Sequence, residues 1–165
     1  MFEPILAALD RGDVRYILVG GVAVVLHGHA RLTADVDMVI DLDPAEARKA
    51  IAALVDLGMR ARAPVDPFRF ADPAERARWI TEKGMKVFSF WDPARPITEV
   101  DIFAESPIPF DELWARSIRL PVGPLTVRVA AIEDLLTMKR QAGRPKDQSD
   151  VAALEAILRA RGAGS

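Results

Sequence analysis

The segment Tyr16–Ile40, YILVGGVAVVLHGHARLTADVDMVI, decides how the rest of the chain is read. Tyr16-Ile17-Leu18-Val19 is a short apolar run ending in Gly20-Gly21, the pattern of a buried strand feeding a tight turn. An apolar helix from Val22 to about His27 follows and stops at Gly28, and Val36–Ile40 reads as a second strand. Residues i and i+2 of a strand share a face, so Asp35 and Asp37 present their carboxylates side by side while Val36 and Met38 enter the core. Like charges held that close are costly unless a cation lies between them. A divalent ion that also bridges triphosphate oxygens is the natural partner. Gly20 and Gly21 supply the complement, because glycines let backbone N–H groups approach a phosphate and a helix N-terminus favours anions.

Downstream, Glu99-Val100-Asp101-Ile102-Phe103 again sets polar residues into an apolar strand pattern. If that strand lies beside the one carrying Asp37, Asp101 completes a three-carboxylate metal site with Asp35 and Asp37 and helps to deprotonate an attacking hydroxyl. The other elements follow from caps and periodicity. Helices are expected over residues 3 to 10, Pro44 to Leu57 with Asp43 as N-cap, and Pro73 to Lys83 with Asp72 as N-cap. Strands Lys86 to Trp91 and Thr98 to Phe103 form a hairpin joined by a longer loop over Asp92 to Pro96. Pro109 to Arg116 is helical, Leu125 to Val129 is a strand, and Ile132 to Gln141 and Pro145 to Arg161 form a C-terminal helical pair, with a frayed tail over 162–165. This order specifies an α+β fold: a mixed, mostly antiparallel sheet flanked by helices, in one domain over 1–165 with its core at about 15–130.

Bulk composition excludes several classes. At 165 residues and 50% hydrophobic content the chain has the size of one core, and with no cysteine any metal is held by oxygen or imidazole, which points to hard cations. No apolar run reaches membrane-spanning length, and Met-Phe-Glu-Pro lacks the basic start of a secretory signal, so a cytoplasmic location and no membrane partner are expected. A net charge of −2 argues against a general nucleic-acid coating protein. A modest basic excess between positions 60 and 86 suits a solvated face and also an RNA-binding edge.

Gly20-Gly21-Val22-Ala23, His27-Gly28, Arg31, Thr33 and Asp35-Val36-Asp37-Met38 together resemble the signature of the nucleotidyltransferase superfamily, a Gly-Gly or Gly-Ser turn followed by a D-x-D pair. The look is closest to the AbiEii-like toxin branch and its small bacterial relatives, where a late segment like Ile132–Lys139, Gly143–Asp147 and Asp150 also recurs. The resemblance implies a nucleotidyltransferase fold and a Mg²⁺- or Mn²⁺-dependent enzyme moving a nucleoside monophosphate from an NTP, ATP among them, to a hydroxyl. It further implies that Gly20, Gly21, Arg31, Thr33, Arg144 and Asp150 bind nucleotide, that Asp35, Asp37 and Asp101 bind metal, and that Lys139 contacts phosphate or acceptor. The acceptor stays open between a tRNA or other RNA end, a protein hydroxyl and a small molecule such as an aminoglycoside. A toxin role with a cognate antitoxin partner, or a silent nucleotide-binding module, is also compatible with the resemblance. One departure is Gly21, where many superfamily members place Ser and its hydroxyl contact.

Taken singly, these residues have plainer readings. Gly20-Gly21 suits any strand-to-helix turn, and Asp35, Asp37, Asp41 and Asp43 suit a solvated edge strand with caps. Lys139 suits a helix C-terminus, and Arg144, Asp147 and Asp150 suit surface pairs. His27 and His29 read as core or loop residues rather than ligands.

Overall fold

The computed structural model describes residues 2–163. The order is α1 (Glu3–Arg11), β1 (Tyr16–Val19), α2 (Gly20–Leu26), β2 (Asp35–Ile40), α3 (Pro44–Asp56), β3 (Arg60–Ala61), a 3₁₀ turn at Pro67–Ala71, α4 (Pro73–Lys83), β4 (Val87–Asp92) and β5 (Arg95–Phe103). It continues with α5 (Phe110–Arg116), β6 (Ile118–Val122), β7 (Leu125–Val129), α6 (Ile132–Ala142), a 3₁₀ turn at Pro145–Asp147 and α7 (Gln148–Ala163). The capping residues act as the sequence predicts. Asp43 accepts from the Ala45 N–H at 3.3 Å and Asp72 from the Ala74 N–H at 2.9 Å, each followed by a proline at the first helical position.

The seven strands form one mixed sheet in the order β3-β4-β5-β2-β1-β7-β6. β2 pairs parallel with β5 and β1 parallel with β7, and the other four pairings are antiparallel. The α+β class and its mostly antiparallel sheet are therefore as read from the sequence.

Alternation along the strands sorts the two faces of the sheet. Val36, Met38, Phe88, Phe90, Val100 and Ile102 are buried on one face. There Phe88 stacks on Phe70 at 4.7 Å between ring centroids and on Trp79 at 5.8 Å, so the first 3₁₀ turn and α4 close this side. The opposite face carries Asp35, Asp37, Glu99 and Asp101.

Four local expectations are corrected. The β4–β5 connection is not a long loop: the strands run to Asp92 and from Arg95, which pair with each other, leaving only Pro93-Ala94 between them and a register shift at Trp91/Asp92. β6 was not expected. Ile118, Leu120 and Val122 alternate as in a strand, but Pro121 argues against one, a residue tolerated here because β6 is the sheet edge. The C-terminal pair is interrupted, since Pro145–Asp147 is a separate 3₁₀ turn before α7. Finally, α7 continues through Gly162 and Ala163 rather than fraying at 162, and 164–165 lie outside the described residues. Within the basic stretch, Arg69 and Arg78 pair with Glu75 and Arg76 is buried against the Phe70 and Leu42 carbonyls, whereas Arg60, Lys83 and Lys86 are exposed.

Replacing Phe88 by Ala removes the ring shared by Phe70, Trp79 and Phe90; the expected loss is about 3–5 kcal/mol, read as a fall in urea midpoint with unchanged m-value.

Candidate active site

The parallel pairing of β2 with β5 sets Asp37 directly beside Asp101 and Asp35 beside Glu99. All four side chains leave the same face, so the sheet carries a square of carboxylates where the sequence shows two separated acidic stretches. Glu99 was not among the residues singled out from the sequence. The signal was its i, i+2 relation to Asp101, the same relation that links Asp35 to Asp37. Ser89 was also missed: on β4 it sits opposite Asp101, and its Oγ donates to Asp101 Oδ1 at 2.6 Å. Only the strand register places it there.

Above this face lies the turn between β1 and α2. Gly20 has φ +65°, and a Cβ on it would overlap Asp37 Oδ2 and come within 2.9 Å of Asp37 Cβ. Both backbone conformation and space therefore require glycine. At Gly21 an added Cβ would meet Arg31 Nη2 at 2.7 Å and Thr33 Oγ1 at 2.9 Å. A guanidinium and a hydroxyl thus fill the space in which a serine at this position would project, which accounts for the departure seen in the sequence.

The third wall comes from the C-terminal elements. Lys139 of α6 is buried, with its Nζ 3.3 Å from Asp147 Oδ1 and 3.1 Å from Asp150 Oδ2. Asp147 also accepts from Arg144 Nε at 2.7 Å, and Asp150 accepts from Arg31 Nη2 at 2.9 Å. Asp147 and Asp150 are buried rather than surface residues and hold buried Lys139 together with Arg31 and Arg144, while Arg144 and Lys146 themselves are exposed. His27 is a core residue, its Nε2 2.8 Å from the Ala130 carbonyl oxygen, and His29 lies at the periphery, 3.8 Å from Asp150.

Two cavities meet at the carboxylates. One, of about 440 Å³, is lined by Gly20, Gly21, Arg31, Thr33, Asp35, Lys139, Arg144 and Lys146. The other, of about 570 Å³, opens over β5 and α6. Gly20, Asp37, Asp101, Lys139 and Arg144 border both.

Crowding shapes the electrostatics. The Asp37 carboxyl is pushed up to about 7, first by burial, then by the charge of Asp101 and of Asp35, with a hydrogen bond to Asp101 adding to the rise and Lys139 opposing it. Asp35 is raised as well, by burial first and then by Asp101. Among the described residues no three His, Asp or Glu side chains converge closely enough to hold a metal by themselves. The three-carboxylate site expected from the sequence is present as a hydrogen-bonded pair, Asp37 and Asp101, with Asp35 standing off. The register explains this: Asp35 begins β2, exposed, and its lateral neighbour is Glu99 rather than Asp101. The pair still fits a hard divalent ion, since all its donors are oxygen and burial disfavours two bare charges.

A glycine turn over an acidic sheet face, with buried Lys139 and exposed arginines opposite, has the make-up of a phosphoryl-transfer class of site. The chain belongs to the family described as "Nucleotidyltransferase of unknown function (DUF6036)", whose profile matches residues 2–160. No curated protein sequence matches it. Among solved structures it is similar to the lincosamide antibiotic adenylyltransferase LnuA bound to lincomycin, with a TM-score of 0.62 and 19% identity over 93% of each chain. It is also similar to ANT(2'')-Ia in complex with adenylyl-2''-tobramycin, with a TM-score of 0.57 and 18% identity over 98% of this chain and 93% of that one. An antigenic nucleotidyltransferase-like protein from Paracoccidioides brasiliensis matches with a TM-score of 0.57 and 18% identity over 94% and 73%. At these identities the likeness is one of fold. The matches establish a nucleotidyltransferase and do not extend to the AbiEii-like toxin branch. No helix among the described residues is long and apolar enough to cross a membrane.

An acid whose pKa in the fold lies above its unfolded value stabilises the fold at low pH, and that stability is lost as pH rises through the folded pKa. In metal-free protein, thermal melts should therefore show stability falling from pH 5 to pH 8 as Asp37 ionises near 7. Asp37→Asn should flatten that profile and melt above wild type at the alkaline end.

Proposed function

We propose that the protein transfers a nucleoside monophosphate from an NTP to an acceptor hydroxyl, with the triphosphate in the cavity under Gly20-Gly21 and the acceptor in the cavity over β5 and α6. The observation that supports this reading most directly is the in-register pairing of Asp37 with Asp101 at the junction of the two cavities. Asp37 and Asp101, with Asp35 as a third donor, would hold Mg²⁺ or Mn²⁺, which when bound neutralises the crowded carboxylates and the charge on the phosphates.

The chain's own residues supply the rest. Gly20 and Gly21 line the triphosphate cavity, where their backbone N–H groups would bind phosphate, with Arg31, Thr33, Lys139, Arg144 and Lys146 around it for the phosphate oxygens. Asp147 and Asp150 position Lys139, Arg144 and Arg31, holding their charges toward the cavity before nucleotide arrives. Asp101, oriented by Ser89, borders both cavities and takes the acceptor proton. The acceptor oxygen bonds to the α-phosphorus, the bridging P–O bond to the β-phosphate breaks, and its electron pair leaves with pyrophosphate. The same geometry without turnover would make a silent nucleotide-binding module. The intact carboxylate square and the charged clamp favour the enzyme, and no observation favours a toxin role.

The test is label transfer from α-phosphate-labelled NTPs, with Mg²⁺ and then with EDTA, into RNA, the protein itself and a small-molecule panel. Asp37→Asn and Asp101→Asn are each expected to lower transfer by about 100-fold or more while the variants stay folded. Wild-type rates in both variants would overturn the assignment. NTP binding without any pyrophosphate release would favour the silent module.

A further inference from the structure

The cavity assigned to the acceptor has a composition that selects for charge. Its volume of about 570 Å³ is in the range of small-molecule sites, and its walls beyond the carboxylates include Lys86, Phe103, Leu135, Met138 and Gln141. The only acidic residues bordering it are Asp37 and Asp101, the pair assigned to the metal and to the acceptor proton. Lys139 and Arg144 also border it, but their charges are answered by Asp147 and Asp150. Lys86 is different. It enters β4 with its carbonyl accepting from the Ala104 N–H at 2.9 Å, so its backbone is fixed against the end of β5. Its ammonium has no ion pair or hydrogen bond among the described residues. A polycation entering here meets an unanswered lysine and no spare carboxylate. An anion meets a lysine whose charge is free, beside an apolar wall that includes an aromatic ring.

We propose, on the strength of the transfer reading above, that the acceptor is a phosphate-bearing hydroxyl compound with a flat apolar face, a nucleotide in chemical class, and that Lys86 binds its phosphate. Phe103 and Met138 lie against its base, and its hydroxyl reaches Asp101. Transfer then forms a phosphodiester between the acceptor oxygen and the α-phosphorus, with the proton on Asp101 and pyrophosphate as the leaving group. A free mononucleotide and the end of an RNA strand present the same chemistry.

Isothermal titration separates these sources. Wild type, Lys86→Ala and Lys86→Glu, each saturated with Mg²⁺ and an α,β-methylene NTP analogue, are titrated with a nucleoside 5′-monophosphate, a 5′-phosphorylated RNA trinucleotide, lincomycin and tobramycin. A phosphate-bearing ligand is expected to bind tightest, to weaken about tenfold in Lys86→Ala and further in Lys86→Glu, while the NTP analogue binds all three proteins alike. Preference for the trinucleotide or the mononucleotide identifies the source. Tighter binding of tobramycin or lincomycin, an affinity indifferent to Lys86, or no binding of either phosphate-bearing ligand would overturn the inference alone. Failure of the NTP analogue to bind wild type, or binding unaffected by Asp37→Asn, would instead strike the transfer reading on which it rests.

Discussion

Two half-buried carboxylates held side by side on the sheet face that lines the cavities are the constraint around which the site is organised. Asp37 and Asp101 are adjacent because β2 and β5 run parallel in register, and burial makes their joint ionisation unfavourable without a cation. Everything near them answers that imbalance. Gly20 gives up its side chain so that backbone can lie against Asp37, Ser89 donates to Asp101, and Lys139 brings a positive charge from the opposite wall.

The second tier is a clamp of charges that solves a different problem. A buried lysine aimed at a phosphate cavity needs partners of its own, and Asp147 and Asp150 provide them at 3.3 and 3.1 Å. Because the same two carboxylates also accept from Arg144 and Arg31, three of the cavity's cations hang from a single pair of acids. Losing either acid would free one arginine and leave Lys139 on the remaining carboxylate. Arg31 in turn fills the space beside Gly21, so the glycine turn, the loop after α2 and the first turn of α7 are fitted to one another.

How much of this could be read in advance depends on whether the signal was local. The strand–turn–helix of 16–26, the caps at Asp43 and Asp72, and the i, i+2 relation of Asp35 and Asp37 are properties of a few neighbouring residues, and they were legible. The late residues Lys139, Arg144 and Asp150 were marked by resemblance alone; periodicity gave no reason to prefer a buried clamp over surface pairs. Ser89 was invisible as a site residue because its role comes from strand register, which pairs residues distant in sequence, whereas Glu99 had a local signal in its i, i+2 relation to Asp101 that was passed over. The same cause explains why three carboxylates were expected to converge and two do: alternation fixes the face, while only the partner strand fixes which acid stands next to which. β6 escaped notice because an edge strand with a proline lacks the pattern of a central one.

The bond from Arg31 to Asp150 joins residues 119 positions apart, and the loop before β2 keeps its place against Gly21 through that bond. A ribosome adding residues in order would therefore finish every strand of the sheet before Arg31 had its carboxylate partner. Docking of α7 is then the contact that fixes Arg31 beside the glycine turn, a closure between residues far apart in sequence.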